Sequence, residues 1–548
     1  MRGVPPSTSS EADGGAPAGP PPDSTQLLQD ALESVSKGTT ILVVSIVIFL
    51  GLSFLGRIAA ARALPVAEFG EFNLGVSFTT LLSIVILLGL NQALARMLAW
   101  EHDAGERRTL IRWSIWVSAI ASVAGSVFVF VYAPSIAALF HNPALIFVFE
   151  LLAISVGFGA ITPVFTSIFQ GFHNVVPNAL FNQIINPVLF VVFVYLLLYV
   201  HLGLTGVLLA YVIADAAGFV GAVIYTARYL PDIVPRTARG PPRPKPLLWI
   251  LTVSMWGVAS LGFITGYADT LILGVYHSAL LVGYYSTSIT MTRVILLAAQ
   301  ALTYIYLPMT ARLARIQAHE ALRSTYVTAT RWILVMTFPM LLLFVFAPHL
   351  TIDAFFGPKY GPAALSLQFL ALAAFLSNVV GPVNACLGGL GQARTQLWTS
   401  STAAATNLIL SFALIPTYGI LGATAAWAIA RGMYPGLGLA ALNRGWGITP
   451  FRRVLLLPVA VTLVIGAPIF YIVQQLHPNH WIVLPLFFFG SALYIFALFI
   501  TKSLLPGDLA TVGAAEHVLG RPLPRIRQLL QRRMAVDPFI DARPLKAA

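Results

Sequence analysis

The chain has 548 residues, of which 58% are hydrophobic and only 9% charged, with 32 Lys and Arg against 20 Asp and Glu. A soluble domain carries about a quarter charged residues, so the composition excludes a soluble globular protein and indicates a polytopic membrane protein. The one cysteine, Cys386, excludes an internal disulfide and a cysteine-built metal site.

Residues 1–23, rich in Pro, Gly, Ser and Ala, read as a disordered tail. No cationic stretch leads straight into an apolar one there, so the tail is not a signal peptide. Leu27, Leu28, Ala31, Leu32 and Val35 then share one helical face, which predicts an interfacial amphipathic helix over 24–38. Fourteen apolar segments follow, near 41–61, 74–95, 111–133, 144–165, 178–200, 204–226, 248–270, 281–306, 331–349, 364–388, 397–415, 419–441, 454–475 and 481–501. Most have the roughly 20 residues that cross a bilayer core as a helix. Lipid-facing backbone must satisfy its own hydrogen bonds, so at this apolarity the segments are helices. The short alternating segments of a transmembrane barrel are missing. The expected fold is all-α, with about 14 transmembrane helices.

The first twelve segments read as one six-helix unit written twice. Gly203 to Asp215 matches Gly419 to Arg431 at an offset of 216. Phe169-Gln170-Gly171-Phe172 matches Leu387-Gly388-Gly389-Leu390 at 218, and Phe69-Gly70-Glu71-Phe72 matches Val282-Gly283-Tyr284-Tyr285 at 213. The expected organisation is an N-lobe over 39–228, a cytoplasmic linker over 229–246, a C-lobe over 247–441, two further helices in 442–501 and a tail over 502–548. Arg525, Arg527, Arg532 and Arg533 make that tail basic and suited to anionic lipid. Two such halves are the mark of a transporter with its substrate path between them.

Placing the N-terminus in the cytoplasm and alternating sides puts 27 of the 32 Lys and Arg residues on the cytoplasmic side, four of them between the eighth and ninth segments. Such a bias orients both termini inward in the plasma membrane. It also accounts for the positive net charge without nucleic acid. Several chemistries are missing: there is no Gly-Lys dipeptide for a phosphate-binding loop, no Asp-x-Asp pair, and no His-Glu-x-x-His or Gly-x-Ser-x-Gly. The ten histidines are scattered. No enzyme activity, cofactor or metal is expected.

Ionisable groups inside membrane segments are costly and mark functional sites. In the eighth segment Ser286, Arg293 and Gln300 recur every seven residues, with Thr303 and Tyr304 after them. Seven residues make nearly two helical turns, so one face carries an arginine at mid-depth. It faces either a cavity or buried carbonyls. In the first segment Arg57 follows Ser53 by one turn and either faces the cavity or snorkels outward. Asn91 and Arg96 end the second segment, where the charge bias alone would also place an arginine. Asp269, near the outer end of the seventh segment, either receives an ion, pairs with a cavity arginine or is a plain outer-surface carboxylate. Asp215 and Arg431 hold matching places in the two halves, either balancing one another or satisfied locally.

Four runs resemble the polysaccharide and O-antigen flippases of the multidrug/oligosaccharidyl-lipid/polysaccharide exporter superfamily. They are Arg62-Ala-Leu-Pro-Val-Ala-Glu-Phe-Gly-Glu-Phe, Asp269-Thr-Leu-Ile-Leu-Gly with Val282-Gly-Tyr-Tyr, Phe356-Gly-Pro-Lys-Tyr, and Ile415-Pro-Thr-Tyr-Gly-Ile-Leu-Gly-Ala. The resemblance covers about 38–500. It implies two six-helix lobes around a cavity, two extra helices and alternating access, with cavity arginines on helices 1, 2 and 8. Arg57 and Arg293 fall on helices 1 and 8, and Arg96, at the cytoplasmic end of helix 2, is the candidate there. The implied function is movement of a polyprenyl-phosphate-linked oligosaccharide from the cytoplasmic to the outer leaflet. The implied partners are that lipid, the membrane and the proteins of glycan assembly. A multidrug or cation antiporter of the same superfamily is the alternative, and a membrane glycan polymerase or ligase a further one.

Overall fold

The computed structural model describes residues 45–46, 48–230, 246–451, 453–476, 479–501 and 503. The N-terminal tail, the 24–38 helix, nearly all of the linker and the basic C-terminal tail lie outside the described residues. Within them the chain is helical and has no strand. In order come α1 (48–63), α2 (Val66–Leu87), α3 (Leu90–Trp100), α4 (Ala104–Leu139) and α5 (Leu145–Gly171). A π-helical stretch, Asn178–Ile185, runs into α6 (Asn186–Tyr199), followed by α7 (Gly203–Tyr229). Then come α8 (Pro246–Tyr276), α9 (Ala279–Arg315), α10 (His319–Phe346), α11 (Pro348–Phe355), α12 (Ala364–Val379) and α13 (Val383–Gly389). The last are α14 (Ala393–Tyr418), α15 (Ile420–Trp446), α16 (Arg453–Gln475) and α17 (Val483–Ile500). A helix stands at each of the fourteen apolar segments, and nine described stretches are long and apolar enough to cross a membrane.

Local chemistry sets the helix boundaries. Asp103 caps α4, its Oδ1 accepting from the Glu106 backbone N–H at 2.7 Å. Leu88 and Gly89 both adopt the left-handed region, with φ of 47° and 78°, and break the second apolar segment into α2 and α3. Gly203 and Gly419, which open the two copies of the longest repeat, start α7 and α15 with φ of +51° and +54°. Only glycine takes that conformation at little cost, so the repeat preserves a turn as well as a residue type.

The hydrophobic core is shared at one end and divided at the other. At the end carrying the Leu64–Pro65 turn, one cluster joins both halves: Phe69, Phe72 and Phe149 pack in the same body as Tyr285, Phe338, Phe356 and Tyr360. Toward the opposite end the described residues fall into two clusters. One joins α3, α4, α5 and α7 through Leu94, Ile111, Ile168 and Ala222. The other joins α9, α10, α13 and α15 through Tyr306, Tyr326, Leu387 and Leu442. Burial of apolar surface therefore holds the halves together at the Pro65 end and holds each half separately at the other. On that side α3 of the first half also packs against α8 of the second.

Polar contacts latch the joined end. Lys359 Nζ donates to the carbonyls of Arg62 at 3.0 Å and Leu64 at 2.5 Å, and Tyr360 Oη donates to that of Ala61 at 2.9 Å. Arg62 in turn donates to the carbonyls of Phe355, at 2.7 Å, and Ala354.

The pair α16 and α17 packs against α10. One of the four basic residues expected between the eighth and ninth segments, Arg331, is instead only 2% exposed inside α10, donating to the Ser503 carbonyl at 3.1 Å just past α17. The helix starts a full three turns before the apolar run, so the hydropathy edge misplaces this arginine.

Candidate functional site

Between the halves lies a cavity of about 490 Å3, walled by α1, α2, α6, α7, α8, α9 and α15. Arg57, Arg293, Gln300 and Arg431 line it, and among the described residues no Asp or Glu does. Arg57 projects from α1, four residues after Ser53, which lines the same wall. Its Nη1 donates to Asn73 Oδ1 at 2.7 Å, and Asn73 Nδ2 donates to the Phe69 carbonyl at 2.7 Å. The buried amide thus fixes the guanidinium from behind, and its orientation follows from which atom each neighbour needs.

Arg293 approaches from α9. Its Nη2 lies 3.4 Å from the Gly266 carbonyl, and its guanidinium sits 5.2 Å from the Tyr267 ring centre. That is a cation–π arrangement, which leaves donors of the fork directed elsewhere. Arg57 and Arg293 are close enough for their charges to interact. Two fixed cations on opposite walls, held by a carbonyl, an amide and an aromatic face, lower the potential of any anion between them. The seven-residue stripe on α9 turns only partly into the cavity: Arg293 and Gln300 line it, as does Thr290, whereas Ser286 is packed at 5% exposure.

Asp215 lies in a smaller chamber of about 220 Å3 within the first half, which shares Thr80, Asn186 and Tyr211 with the central cavity. Asn186 Nδ2 donates to it at 2.6 Å, and Ser155 Oγ donates to its other oxygen. Arg431 borders the central cavity and a further chamber in the second half. Asp269 is 1% exposed, accepts from the Thr270 backbone N–H at 3.0 Å and from Tyr285 Oη, and lines none of these cavities. Asn91 and Arg96 sit on α3, beyond the Leu88–Gly89 break, and the Arg96 guanidinium lies 4.7 Å from the Trp100 ring centre at the surface. Neither reaches the central cavity.

Sequence reasoning left out Asn73, Tyr211 and Tyr267. A signal for the first existed: Asn73, Ser77 and Thr80 follow at four and three residues, a polar stripe on one face of an apolar helix.

A family description, "Polysaccharide biosynthesis protein", matches residues 35–314, just over half of the chain. An uncharacterized membrane protein of Methanocaldococcus jannaschii is 24% identical over 420 residues, covering 71% of this chain and 80% of that protein. Among solved structures, the chain is similar to the lipid II flippase MurJ in an inward closed conformation, with a TM-score of 0.66 at 13% identity, covering 84% of this chain and 98% of that one. It is also similar to a multidrug resistance transporter of the MATE family, MOP superfamily, in an inward-facing conformation. There the TM-score is 0.59 at 15% identity, covering 74% and 99%. At these identities the similarity is one of fold.

Proposed function

Given that the chain belongs to the polysaccharide biosynthesis protein family, we propose that it is a flippase for a polyprenyl-phosphate-linked oligosaccharide. The observation that carries this reading is the meeting of Arg57 and Arg293, one from each half, over a single cavity whose described lining includes no carboxylate. Guanidinium groups suit phosphate by permanent charge and forked geometry. The phosphate head sits between the two arginines, the sugars occupy the aqueous cavity, and the isoprenoid tail stays in lipid.

The halves, 39–228 and 247–441, act as lobes that rock about the cavity. The basic-residue bias puts both termini in the cytoplasm, so the joined end faces outward and the divided end faces inward. This conformation is then the one that loads from the cytoplasmic leaflet. An inside-negative potential drives an anion outward, by about 4–5 kcal/mol for a doubly charged head at 100 mV. The chemistry is transport, with no bond made or broken.

A cation antiporter is the second reading, and Asp215 in its polar chamber is what favours it. Three arginines on the central cavity oppose it, because they repel a cationic cargo.

The test is the appearance of lipid-linked glycan in the outer leaflet, normalised to folded protein in the membrane. Arg293→Ala reduces it about tenfold or more, the loss of a charge-assisted contact. Arg293→Lys keeps part, since a point charge cannot replace the fork. Normal flipping by a well-folded Arg293→Ala protein would remove this arginine from the mechanism.

A further inference from the structure

A second chamber, of about 550 Å3, lies between α8, α14 and α15 and adjoins the central cavity, sharing Thr265, Trp427 and Arg431 with it. On α14, Gln396, Ser400 and Asn407 line it, spaced by four and then seven residues on one helical face. Asn407 is 1% exposed, yet both its Oδ1 and its Nδ2 lack a hydrogen-bond partner. Arg431 Nε is buried and unpartnered as well. Buried polar atoms are nearly always paired, and leaving one unmet is costly. Three such atoms on one chamber wall point to a guest that meets them.

The chamber's chemistry narrows the guest. Among the described residues no Asp or Glu lines it, so the Arg431 charge is unopposed there and a cation is repelled. Its counterpart in the first half holds Asp215 at the matching repeat position, so the two side chambers carry opposite charge. The Asn407 amide offers one acceptor and one donor pair, which bare phosphate cannot use in full. The Trp427 ring and the aliphatic Leu261 and Ala430 supply an apolar wall.

We propose that this chamber is a glycan subsite for a sugar residue bearing a carboxylate. The carboxylate accepts from Arg431, ring hydroxyls exchange hydrogen bonds with Asn407, and the C–H face of the ring lies on Trp427. The proposal builds on the flippase reading and adds the class of glycan carried.

The experiment uses the full-length protein in lipid nanodiscs, with thermal unfolding followed against glucuronate, glucose and inorganic pyrophosphate. Glucuronate raises the midpoint at concentrations where glucose does not. Arg431→Gln and Asn407→Leu each raise the half-effective glucuronate concentration about tenfold or more, as expected for losing one contact to a charged group. Asn407→Leu, which borders this chamber and not the central cavity, leaves the pyrophosphate response in place. The double variant Arg57→Gln, Arg293→Gln does the reverse, losing the pyrophosphate response and keeping that to glucuronate. Arg431→Lys, which conserves charge without the fork, falls between wild type and Arg431→Gln and covers the case in which the latter does not fold. Equal responses to glucose and glucuronate, or a glucuronate response that both Arg431 variants leave unchanged, overturn the subsite. Loss of the pyrophosphate response in wild type alone counts against the flippase reading instead.

Discussion

Gly70 and Gly283 hold matching places in the two copies of the repeat, and each abuts the other's helix where α2 crosses α9. A Cβ on Gly70 would stand 1.8 Å from the Ala279 carbonyl oxygen and 2.9 Å from the Gly283 nitrogen. A Cβ on Gly283 would stand 2.2 Å from the Val66 carbonyl oxygen. The two backbones therefore touch in both directions, and the seam closes only around glycine. Close approach through small residues is how helices associate where water provides no driving force. The carbonyls reached by Lys359 and Tyr360 lie at this same end, so packing and polar latch close one entrance together.

Gly70→Ala or Gly283→Ala must part α2 from α9, because the obstacle is backbone and cannot swing aside. Overpacking of this kind costs roughly 1–3 kcal/mol. That shifts a two-state balance by about fivefold to over a hundredfold toward an arrangement with this end apart. Leu64, fully buried beside the seam, reports the change. In a Cys386→Ala background, Leu64→Cys resists a thiol reagent, and adding Gly283→Ala raises its reaction rate several-fold. Undiminished protection in a folded Gly283→Ala protein would show that the glycine contact does not hold the end closed.

Asn73 decides how much positive charge the cavity offers. Its Oδ1 takes one donor of Arg57 and leaves the charge intact. Asn73→Asp keeps the shape but places a carboxylate 2.7 Å from the guanidinium, pairing the charge that an anionic head needs. Asn73→Ala only loosens the side chain. Pyrophosphate titration should therefore rank wild type above Asn73→Ala and Asn73→Ala above Asn73→Asp, with the last weakened about tenfold or more. Tighter binding by Asn73→Asp would mean that Arg57 does not attract the anion.

The sequence disclosed what depends on spacing within one helix and concealed what depends on packing between helices. Gln300 reaches the cavity beside Arg293 because seven residues return to one face. Arg96 does not follow, because Leu88 and Gly89 interrupt the helix and reset the rotation of α3. Tyr285 encloses Asp269 from another helix, so its carboxylate looks free in the sequence and is not. Arg331 counts as a surface charge in any tally of loops, yet α10 carries it inside to the Ser503 carbonyl. The glycine pairs were legible as a repeat, while their role as turns and crossings shows only when both copies are folded. The side chambers have no linear signature, since each draws its wall from several helices.

Orientation is open to direct measurement. Under the charge bias, the turns holding His141 and His201 face outward and the helix ends holding Arg315 and Arg394 face the cytoplasm. All four side chains are exposed. Single cysteines at these positions, with Cys386→Ala, should divide under an impermeant thiol reagent in intact cells. His141→Cys and His201→Cys label, and Arg315→Cys and Arg394→Cys label only after the membrane is opened. The opposite pattern would reverse the direction of transport.

Asp215 separates the power source from the cargo. Its carboxylate accepts from Ser155 and from Asn186, and Thr79, Thr80 and Ser83 line the same chamber, each hydroxyl donating to a carbonyl of its own helix. A carboxylate inside a membrane segment, set in a polar chamber, suits a proton or a small cation. The chamber touches the central cavity through Tyr211, so its occupancy can bias the lobe that carries Arg57. Asp215→Asn preserves size and most hydrogen bonding and removes only the charge. We expect it to bind pyrophosphate as wild type does, because Arg57 and Arg293 are untouched. In proteoliposomes its flipping should lose the response to an imposed proton or sodium gradient and keep the response to membrane potential. If Asp215→Asn still follows the ion gradient, coupling lies elsewhere. If it instead loses pyrophosphate binding, the chamber is part of the head-group site rather than a separate ion site.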